Sequence, residues 1–344
     1  MTDIPYILDI LSQPDSVQSA LEQFDAKPLA SLAKAIRKND FDRILITGMG
    51  GSFYASYPVW LTLANAGLPA LWVDTAELIH HAPTLITQKT FLWAVSQSGK
   101  SAEIVSVIDV KRIQKPAALL ATVNDLESPL AMTAQFRVPI HAEVEKTVST
   151  RTYINTLAVG QLAALALLGR DVEPARAELM QTASAMKSYL VDWESHVQKI
   201  GKSIGFPKRL AILGRGVSLA AAYTGALILG EASKFMATPY QAGAFRHGPL
   251  ELATSDLTVL LFEGPQVTRD LNLRLLKDLR SYQVNAFWVG SEKNEWQIEI
   301  PTVPAIGLPL MEILPLQMLT IHFAGQIGVE PGHFFRTGKI TLTE

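Results

Sequence analysis

The sequence predicts an α/β protein built from two doubly wound αβα domains, each with a parallel sheet between layers of helices. Three observations support this prediction. Continuous apolar runs alternate with helical segments, which indicates strands buried on both faces of a parallel sheet. The same strand, turn and helix pattern opens each half of the chain. The 344 residues are enough for two domains that each bury a hydrophobic core.

The first half opens with a strand predicted at residues 43–48, which runs into a glycine turn and then a helix. Later strands of this half are predicted at 70–73, 91–95 and 118–122. A long helical stretch follows, from residue 152 to residue 202. We expect this stretch to complete the first domain and to lead into the second.

A second copy of the opening pattern lies at residues 209–218. It repeats the arginine, the apolar strand, the Gly-x-Gly-x-Ser turn and the helix of small residues, and further strands are predicted at 257–262 and 285–289. The chain is therefore expected to divide into four parts. These are an N-terminal helical segment at 1–30, a first domain at 31–185, a second domain at 186–330 and a C-terminal tail at 331–344.

Composition excludes several classes of protein. Hydrophobic residues make up 48% of the chain and charged residues 18%, so the polar bias that is typical of disorder is absent. The net charge of −2, from 30 basic and 32 acidic residues, provides no broad positive field for nucleic acid or for anionic lipid. The expected partner is therefore a small molecule. Neither nucleic acid nor a membrane is expected to bind.

The chain contains no cysteine, which excludes disulfides, thiolate metal sites and a cysteine nucleophile. Its first residues lack a basic segment followed by a long apolar run, and no run reaches the roughly 18 apolar residues that a membrane helix needs. The expected location is therefore the cytoplasm.

Two turns rich in glycine and serine are candidates for binding an anion. Gly50, Gly51 and Ser52 follow the first strand. The second turn follows the strand at 91–95 and consists of Ser96, Gln97, Ser98, Gly99, Lys100 and Ser101. Ligands of open α/β sheets bind where strands end, and the free N–H groups at a helix start favour anions. The turns therefore predict a phosphate site. One of the serines could instead cap its helix, and capping does not exclude phosphate binding by the turn.

A nicotinamide dinucleotide site is the alternative for the first turn, because Gly48 and Gly50 precede a helix and Asp74 ends the next strand. The dinucleotide fingerprint needs a third glycine where this chain has Phe53, and a bulky ring opposes close packing of the helix on the sheet. The phosphate site is therefore favoured and no cofactor is expected. No metal is expected either, because the histidines, including the adjacent pair at 80–81, lack ligand spacing with suitable partners.

A carboxylate and an imidazole lie close together in the second half. Glu231 ends an almost charge-free helical segment, and such dry surroundings are expected to raise its pKa by desolvation. His247 follows near the next turn, and histidine as a residue type exchanges protons near neutral pH. The pair predicts acid–base chemistry on a small molecule. The alternative is a glutamate at a helix end and a hydrogen-bonded loop histidine, without a catalytic role.

These motifs resemble the sugar isomerase (SIS) domain-pair family, which includes the isomerase part of glucosamine-6-phosphate synthase. The likeness rests on the serine turn, on Glu231 with the segment 241–250, on an Ile-x-x-Gln-Pro pattern at 10–14 and on the C-terminal tail. It implies that both domains are SIS domains and that the ligand is an open-chain sugar phosphate. The residues that match the phosphate-binding positions of the family are Ser52, Ser96, Gln97, Ser98 and Ser101.

The resemblance also implies roles for the tail and for the histidine. Lys339, which follows Gly338, matches a lysine that forms a Schiff base with the carbonyl of the ketose. The histidine that matches His247 reaches the site from the neighbouring subunit in the family. A homodimer is therefore implied, with His247 donated across its interface.

The segment at 143–151 resembles the loop beside the sugar hydroxyls in the family. Its acidic member is either Glu143 or Glu145, and Arg151 replaces the lysine of the family pattern. The hydroxyl residues expected to contribute binding are Thr147, Ser149 and Thr150.

Two departures from the family bear on the reaction. The synthases have a lysine one turn before the catalytic glutamate, where this chain has Ile228, and a helix carboxylate where it has Thr224. The synthases also release ammonia from glutamine with an N-terminal cysteine in a separate domain, and this cysteine-free chain is not expected to do so. The amination step is therefore in doubt.

The expected function is that of an isomerase or deaminase for a hexose or amino-sugar 6-phosphate, of the glucosamine-6-phosphate and fructose-6-phosphate type. Glu231 is expected to move a proton between C1 and C2. A deglycase for fructosamine 6-phosphates is a close alternative. A sugar-phosphate regulator without catalysis is the alternative from another class, and the joint presence of Glu231, His247 and Lys339 argues against it.

Overall fold

The computed structural model describes residues 3–109, 111, 113–336, 338–341 and 343. The first of its two sheets consists of β1 (Arg43–Gly48), β2 (Ala70–Trp72), β3 (Thr90–Val95), β4 (Ala118–Val123) and β5 (Phe136–Pro139). The strand order is β2-β1-β3-β4-β5, and the paired strands are parallel.

The second sheet repeats this topology. It consists of β6 (Arg209–Gly214), β7 (Ala237–Gln241), β8 (Leu257–Phe262), β9 (Asn285–Gly290) and β10 (Gln297–Glu299). Its strand order is β10-β9-β8-β6-β7, again with parallel pairs. Read from the other edge, the order matches that of the first sheet strand for strand, so the predicted duplication and the predicted α/β class are confirmed.

The connections between the strands are mostly helical, as parallel pairing requires. The helices of the first half of the chain are α1 (Pro5–Leu11), α2 (Gln13–Gln23), α3 (Ala30–Arg37), α4 (Gly50–Ala55), α5 (Tyr57–Asn65), α6 (Thr75–His80), α7 (Ala102–Ile108), α8 (Pro129–Thr133) and α9 (Arg151–Leu167). Those of the second half are α10 (Glu173–Val191), α11 (Trp193–Ile204), α12 (Ser218–Ser233), α13 (Ala242–Phe245), α14 (Gln266–Ser281) and α15 (Leu308–Gln326). Single 3₁₀ turns lie at Lys27–Leu29, Pro83–Leu85, Pro249–Leu252 and Ala305–Gly307.

The chain divides into two compact units. The first unit contains the first sheet and comprises Asp15–Glu145, Ser149–Ala177 and Arg336–Glu344. The second unit contains the second sheet and comprises Met1–Pro14, Lys146–Val148 and Glu178–Phe335. Residues 336–344 of the C-terminal tail therefore belong to the same unit as the serine turns, and residues 331–335 belong to the second unit. The four ranges expected from the sequence remain a prediction.

Each unit has its own apolar core on a face of its sheet. Side chains of neighbouring strands and of the covering helices meet there without exposure to solvent. In the first unit they include Leu45, Leu92, Leu119, Ile104 and Leu130. In the second unit they include Leu213, Leu261, Trp288, Phe245 and Leu275.

Three strands, β5, β7 and β10, are absent from the sequence predictions. All three lie at sheet edges, where one side of the strand needs no partner. β5 ends in Pro139 and β7 contains Pro239, and proline is tolerated at edges because its missing N–H removes no ladder hydrogen bond there. These strands are also only partly buried, so they lack the continuous apolar run by which the inner strands are predicted.

One described helical segment, Ala305–Gln326, is long and apolar enough by composition to cross a membrane, but 83% of its most apolar window is buried inside the protein. This burial is typical of a core helix. The segment was not predicted as an apolar run because Glu312 and Gln317 interrupt it, and both are buried.

Candidate active site

The first serine turn lies at the carboxyl end of β1. Gly50 opens α4 with a φ of 51°, a left-handed conformation that favours glycine, and Ser52 lies in the first turn of that helix. A Cβ added to Gly48 would lie 2.7 Å from the carbonyl oxygen of Val95, so β1 can approach β3 this closely only with glycine there. Phe53 is buried and stacks on Trp72 with ring centroids 3.8 Å apart. The ring therefore occupies the place where a dinucleotide fingerprint needs glycine.

The second serine turn lies at the carboxyl end of β3. Its backbone is folded around two hydroxyls, because Ser96 Oγ accepts from the N–H of Gly99 at 3.1 Å and Ser98 Oγ accepts from the N–H of Lys100 at 3.2 Å. Gly99 has a φ of +60°, and an added Cβ would lie 2.2 Å from Ser128 Oγ. Ser101 is the N-cap residue of α7, although its side chain makes no capping hydrogen bond.

The two turns contact each other. The N–H of Gln97 donates to Ser52 Oγ at 3.4 Å, so both turns face one location at the carboxyl edge of the first sheet. β1 and β3 are neighbours there although the chain visits β2 between them, which makes this edge the switch point where ligands of doubly wound sheets bind. Hydroxyls and backbone N–H groups at such a place can surround a phosphate.

The C-terminal tail lies at the start of α7. The carbonyl of Thr341 accepts from the N–H of Ala102 at 3.2 Å, directly after the N-cap residue Ser101. Two residues earlier in the tail, Lys339 Nζ donates to Glu145 Oε2 at 2.6 Å. The tail backbone thus contacts the helix that follows the serine turn, two residues after Lys339.

Glu145 organises the segment between β5 and α9. One of its oxygens, Oε1, accepts from the N–H and the hydroxyl of Thr150 at 2.8 and 2.7 Å and from the N–H of Arg151 at 2.8 Å. The other, Oε2, accepts from Thr152 Oγ1 at 2.6 Å as well as from Lys339. Burial alone would raise the pKa of Glu145, but the charge of Lys339 and these hydrogen bonds outweigh it and hold the pKa below its ordinary value. Glu145 is therefore a buried carboxylate.

The remaining loop residues occupy different environments. Glu143 is exposed and pairs with Arg151, with 2.7 Å between Oε2 and Nη1. The sequence left open which of two glutamates is the acidic member of the loop, and the structure shows that Glu145 is buried and Glu143 is exposed. Ser149 Oγ lies 2.5 Å from Thr152 Oγ1, Thr147 is partly buried and Gly338 is exposed.

The second unit contains the predicted acid–base pair. Glu231 lies in the last turn of α12 and is partly buried, whereas His247 is exposed in the turn after α13. The flanking Gly230 and Gly248 have no atom within 4 Å of an added Cβ, so space is open beside both glycines. The raised pKa predicted for Glu231 remains a prediction.

A lysine that the sequence did not point to lies next to the glutamate. Lys234 ends α12 in a left-handed conformation, and its Nζ donates to the carbonyls of Glu231 and His333, both at 2.5 Å. Burial lowers the pKa of Lys234, and the charge of Glu231 opposes this shift. The sequence signal was a lysine at the C-terminal end of the predicted helix, where such side chains bind the last carbonyls.

Comparisons with known proteins agree with this fold. The family model of the SIS domain matches residues 35–166 and 206–325, one match for each sheet. The chain therefore belongs to the SIS domain family.

Among the relatives of known sequence is the isomerizing glutamine–fructose-6-phosphate aminotransferase of Pyrococcus horikoshii, which is 26% identical over 333 residues. The match covers 94% of this chain and 55% of the relative. The corresponding protein of Thermus thermophilus is 27% identical over 318 residues, with 86% of this chain and 51% of the relative covered. The chain thus spans about half the length of these relatives.

Solved structures share the fold across nearly the whole chain. The C-terminal domain of glucosamine-fructose-6-phosphate aminotransferase from Francisella tularensis superposes with a TM-score of 0.82 at 21% identity, covering 95% of this chain and 98% of that one. Tagatose-6-phosphate ketose/aldose isomerase from Escherichia coli gives 0.80 at 19% identity, with 96% and 95% covered. Glucosamine-6-phosphate deaminase from Thermotoga maritima gives 0.71 at 16% identity, with 95% and 96% covered.

Proposed function

We propose that this protein is a phosphosugar isomerase or deaminase that acts on a hexose or amino-sugar 6-phosphate. The observation that carries the proposal is the placement of the C-terminal tail. Thr341 binds the start of α7, the helix that follows the serine turn, and Lys339, two residues earlier in the tail, pairs with buried Glu145. A phosphate handle and a nearby amine are the two features that a sugar phosphate with a reactive carbonyl would use.

The named activities of the relatives support the same substrate class. They include an isomerizing fructose-6-phosphate aminotransferase, a tagatose-6-phosphate ketose/aldose isomerase and a glucosamine-6-phosphate deaminase. All three names contain a hexose 6-phosphate. The chain matches about half of the length of the aminotransferases, and the proposal concerns the sugar-phosphate chemistry of that half.

The phosphate is proposed to bind at Ser52, Ser96, Gln97, Ser98 and Ser101, with the backbone of Gly50 and Gly51 beside it. Ser96 and Ser98 are buried, and their hydroxyl groups also order the turn. Such hydroxyls can hold a phosphate without an arginine, because several short hydrogen bonds to a dianion add up.

Lys339 is proposed to attack the carbonyl of the ketose. Its Nζ lies 2.6 Å from Glu145, so the carboxylate fixes the position of the amine. The ammonium must lose a proton to water before the amine becomes a nucleophile. Loss of water then gives the Schiff base. Glu145 has further donors from Thr150 and Thr152, and these keep it in place when the lysine moves away.

Glu231 is proposed to carry the proton between C1 and C2, and His247 to open the sugar ring. In the deaminase direction, glucosamine 6-phosphate and water give fructose 6-phosphate and ammonia, with Glu231 transferring the proton between the two carbons. We further propose a homodimer in which His247 serves the partner's site, and a cytoplasmic location. The family resemblance supports these assignments.

The absence of the helix lysine of the synthases favours isomerisation or deamination over amination. Ile228 at that position is buried, and Thr224 is buried with no hydrogen-bond partner for its hydroxyl among the described residues. A deglycase reaction on fructosamine 6-phosphates uses the same proton transfer and remains the close alternative.

A panel of sugar 6-phosphates followed by NMR in deuterated water tests the proposal, because C2 exchange, ammonia release and isomerisation give separate signals. Glu231→Gln should abolish C2 exchange and leave ligand affinity nearly unchanged, since one general base contributes about 10² to 10⁴ in rate. Wild-type exchange in this variant would contradict the assigned base. A wild-type protein that binds these sugars and turns none over would be a regulator.

The phosphate handle has its own test. Ser98→Ala with Ser101→Ala should weaken sugar phosphates much more than the matching unphosphorylated sugars in calorimetry, because a hydrogen bond to a charged group is worth roughly 1.5–3 kcal/mol. Equal weakening of both ligand classes would move the phosphate to another place.

Reduction with borohydride tests the role of Lys339. Wild-type protein incubated with fructose 6-phosphate and borohydride should gain the mass of the reduced sugar adduct at this lysine. Lys339→Arg keeps the positive charge and should gain none. An adduct of equal yield in the arginine variant would assign the Schiff base to another lysine.

A further inference from the structure

The second unit has a basic pocket at the carboxyl end of its sheet. This pocket has a volume of about 610 Å³, and its polar lining residues are Arg215, Arg246, His247, Arg274, Lys277 and Asp278. Four cationic side chains and one carboxylate leave three positive charges in one concavity, on a chain whose net charge is −2. The pocket is therefore positively charged, although the protein as a whole carries a small negative charge.

The position of the pocket is one where doubly wound sheets bind ligands. Arg215 directly follows β6, and β6 and β8 are neighbours although the chain visits β7 between them. Phe245 of α13 and Leu275 of α14 belong to one apolar cluster, so the two helices cover the same face of the sheet. The pocket therefore lies where these helices meet the switch point of the second sheet.

Arg215 is held in a fixed orientation. Its Nε donates to Oδ1 of Asn272 at 2.8 Å. Asn272 is fully buried, and its amide nitrogen donates to the carbonyls of Phe262 and Glu263 at 3.1 and 3.2 Å. Because the amide nitrogen of Asn272 is occupied by these two carbonyls, its oxygen faces Arg215 and can only accept a hydrogen bond. A Cβ on Gly243 would lie 2.9 Å from Arg215 Nη1, so glycine leaves room for the guanidinium.

The positive charges of the pocket are largely uncompensated. Among the described residues, Arg215, Arg274 and Lys277 make no ion pair, and neither Nη group of Arg215 makes a hydrogen bond. The exception is Arg246, which pairs with Asp278 at 2.5 Å. Burial and the nearby charge of Arg246 both lower the pKa of Arg215, and a bound anion would oppose both effects. An oriented arginine with two free Nη groups suits bidentate contact with phosphate oxygens.

We propose that this pocket binds a small molecule that carries a diphosphate group. A diphosphate offers about three negative charges at neutral pH, which matches the three unbalanced positive charges, whereas one phosphate monoester leaves part of them unpaired. The volume exceeds that of a phosphate alone, and partly exposed Leu271 offers an apolar contact to the rest of the ligand. The chemistry differs from that of the serine turns, which hold no arginine. This binding does not depend on the proposed sugar-phosphate reaction.

Calorimetry on the full chain tests the proposal, with inorganic pyrophosphate as the probe and inorganic phosphate for comparison. Wild-type protein should bind one pyrophosphate per chain, and more tightly than phosphate. Arg274→Gln with Lys277→Gln changes two exposed residues of α14 and should weaken pyrophosphate at least about tenfold. Arg215→Lys keeps the charge but loses the planar group and its contact with Asn272, and should also weaken it.

Two matched variants distinguish binding in this pocket from a general charge effect and from binding at the serine turns. Lys202→Gln with Lys208→Gln removes the same charge from exposed positions elsewhere in the second unit and should leave the affinity unchanged. Ser98→Ala with Ser101→Ala should also retain pyrophosphate binding, while losing affinity for sugar phosphates.

Three results would overturn the proposal. If the Lys202 and Lys208 variant loses as much affinity for pyrophosphate as the Arg274 and Lys277 variant, the loss comes from the overall charge of the protein and not from the pocket. Loss of pyrophosphate binding only in the serine variant would place the ligand at the serine turns. A change of sedimentation mass in the Arg274 and Lys277 variant, without any pyrophosphate binding by wild-type protein, would make the pocket a contact between copies of the chain.

Discussion

We predict that the buried carboxyl group of Glu312 contributes a stability that decreases as the pH rises. Glu312 lies in α15 and is 1% exposed. Its Oε1 accepts from the hydroxyl of Ser218 at 2.8 Å, and its Oε2 has no hydrogen-bond partner among the described residues. Burial raises the pKa of Glu312 to about 8. The hydrogen bond from Ser218 opposes this shift and the charge of Glu263 adds to it. The group is therefore protonated in the folded protein at neutral pH.

The sign and size of the effect follow from linkage. The pKa of Glu312 rises from its ordinary value of 4.5 to about 8 on folding, so between these pH values the folded state holds a proton that the unfolded state has lost. The free energy of unfolding therefore decreases with rising pH, by about 1.4 kcal/mol per pH unit within this window. Between pH 6 and pH 8 the loss from this group is roughly 2 kcal/mol.

Glu312→Gln should remove this loss. Glutamine has the shape of the protonated acid, cannot ionise, and its amide oxygen can still accept from Ser218. Urea unfolding followed by tryptophan fluorescence at pH 6, 7 and 8 gives the difference in unfolding free energy between the two proteins. The difference should shift by roughly 2 kcal/mol in favour of glutamine from pH 6 to pH 8, and other titrating groups cancel because both proteins share them.

Glu251→Gln is the matched control, because it removes an exposed carboxylate of the same unit. Its difference from wild type should vary by much less over the same pH range. A Glu312→Gln difference that stays constant from pH 6 to pH 8, or that moves in favour of glutamate, would refute a protonated Glu312.

Two further changes test the candidate site. Glu145→Ala leaves Lys339 without its buried partner and should lower the free energy of unfolding by roughly 3 kcal/mol, against less than about 1 kcal/mol for exposed Glu143→Ala, as measured by urea unfolding at pH 7. The pKa of Glu145 is lowered in the folded state. Its contribution to the free energy of unfolding is therefore complete above the ordinary pKa and is lost as the pH falls through the lowered value. In acid, the stability of wild type should approach that of the Glu145 variant. Mixing inactive His247→Ala with inactive Glu231→Gln should restore about a quarter of wild-type activity, because about half of the dimers are mixed and each has one intact site. No recovery despite proven subunit exchange would place both residues in one subunit's site.

Much of the fold follows from local patterns. The inner strands β1, β3, β6 and β8 were predicted because a strand buried on both faces needs an unbroken apolar run. The edge strand β7 has no such run and contains a proline, so its pairing with β6 was not predicted.

The candidate site was predicted less evenly. Ser96 to Ser101 were found because a turn between a strand and a helix has a characteristic composition. The choice between Glu143 and Glu145 was not predictable, since both precede the same loop and have the same chemistry. Only burial separates them: Glu145 lies inside and collects five donors, while Glu143 stays in solvent.

By itself the sequence determined the α/β class, the internal duplication and the serine turns at the carboxyl ends of the strands, because each depends on residues adjacent in the chain. The tertiary structure alone decided the partners of distant groups. Lys339 meets Glu145 across 194 positions, and Arg215 meets Asn272 across 57. Such pairs form because folding brings separate segments of the chain together. A charge that is buried in this process is stable only where a partner lies within hydrogen-bond distance.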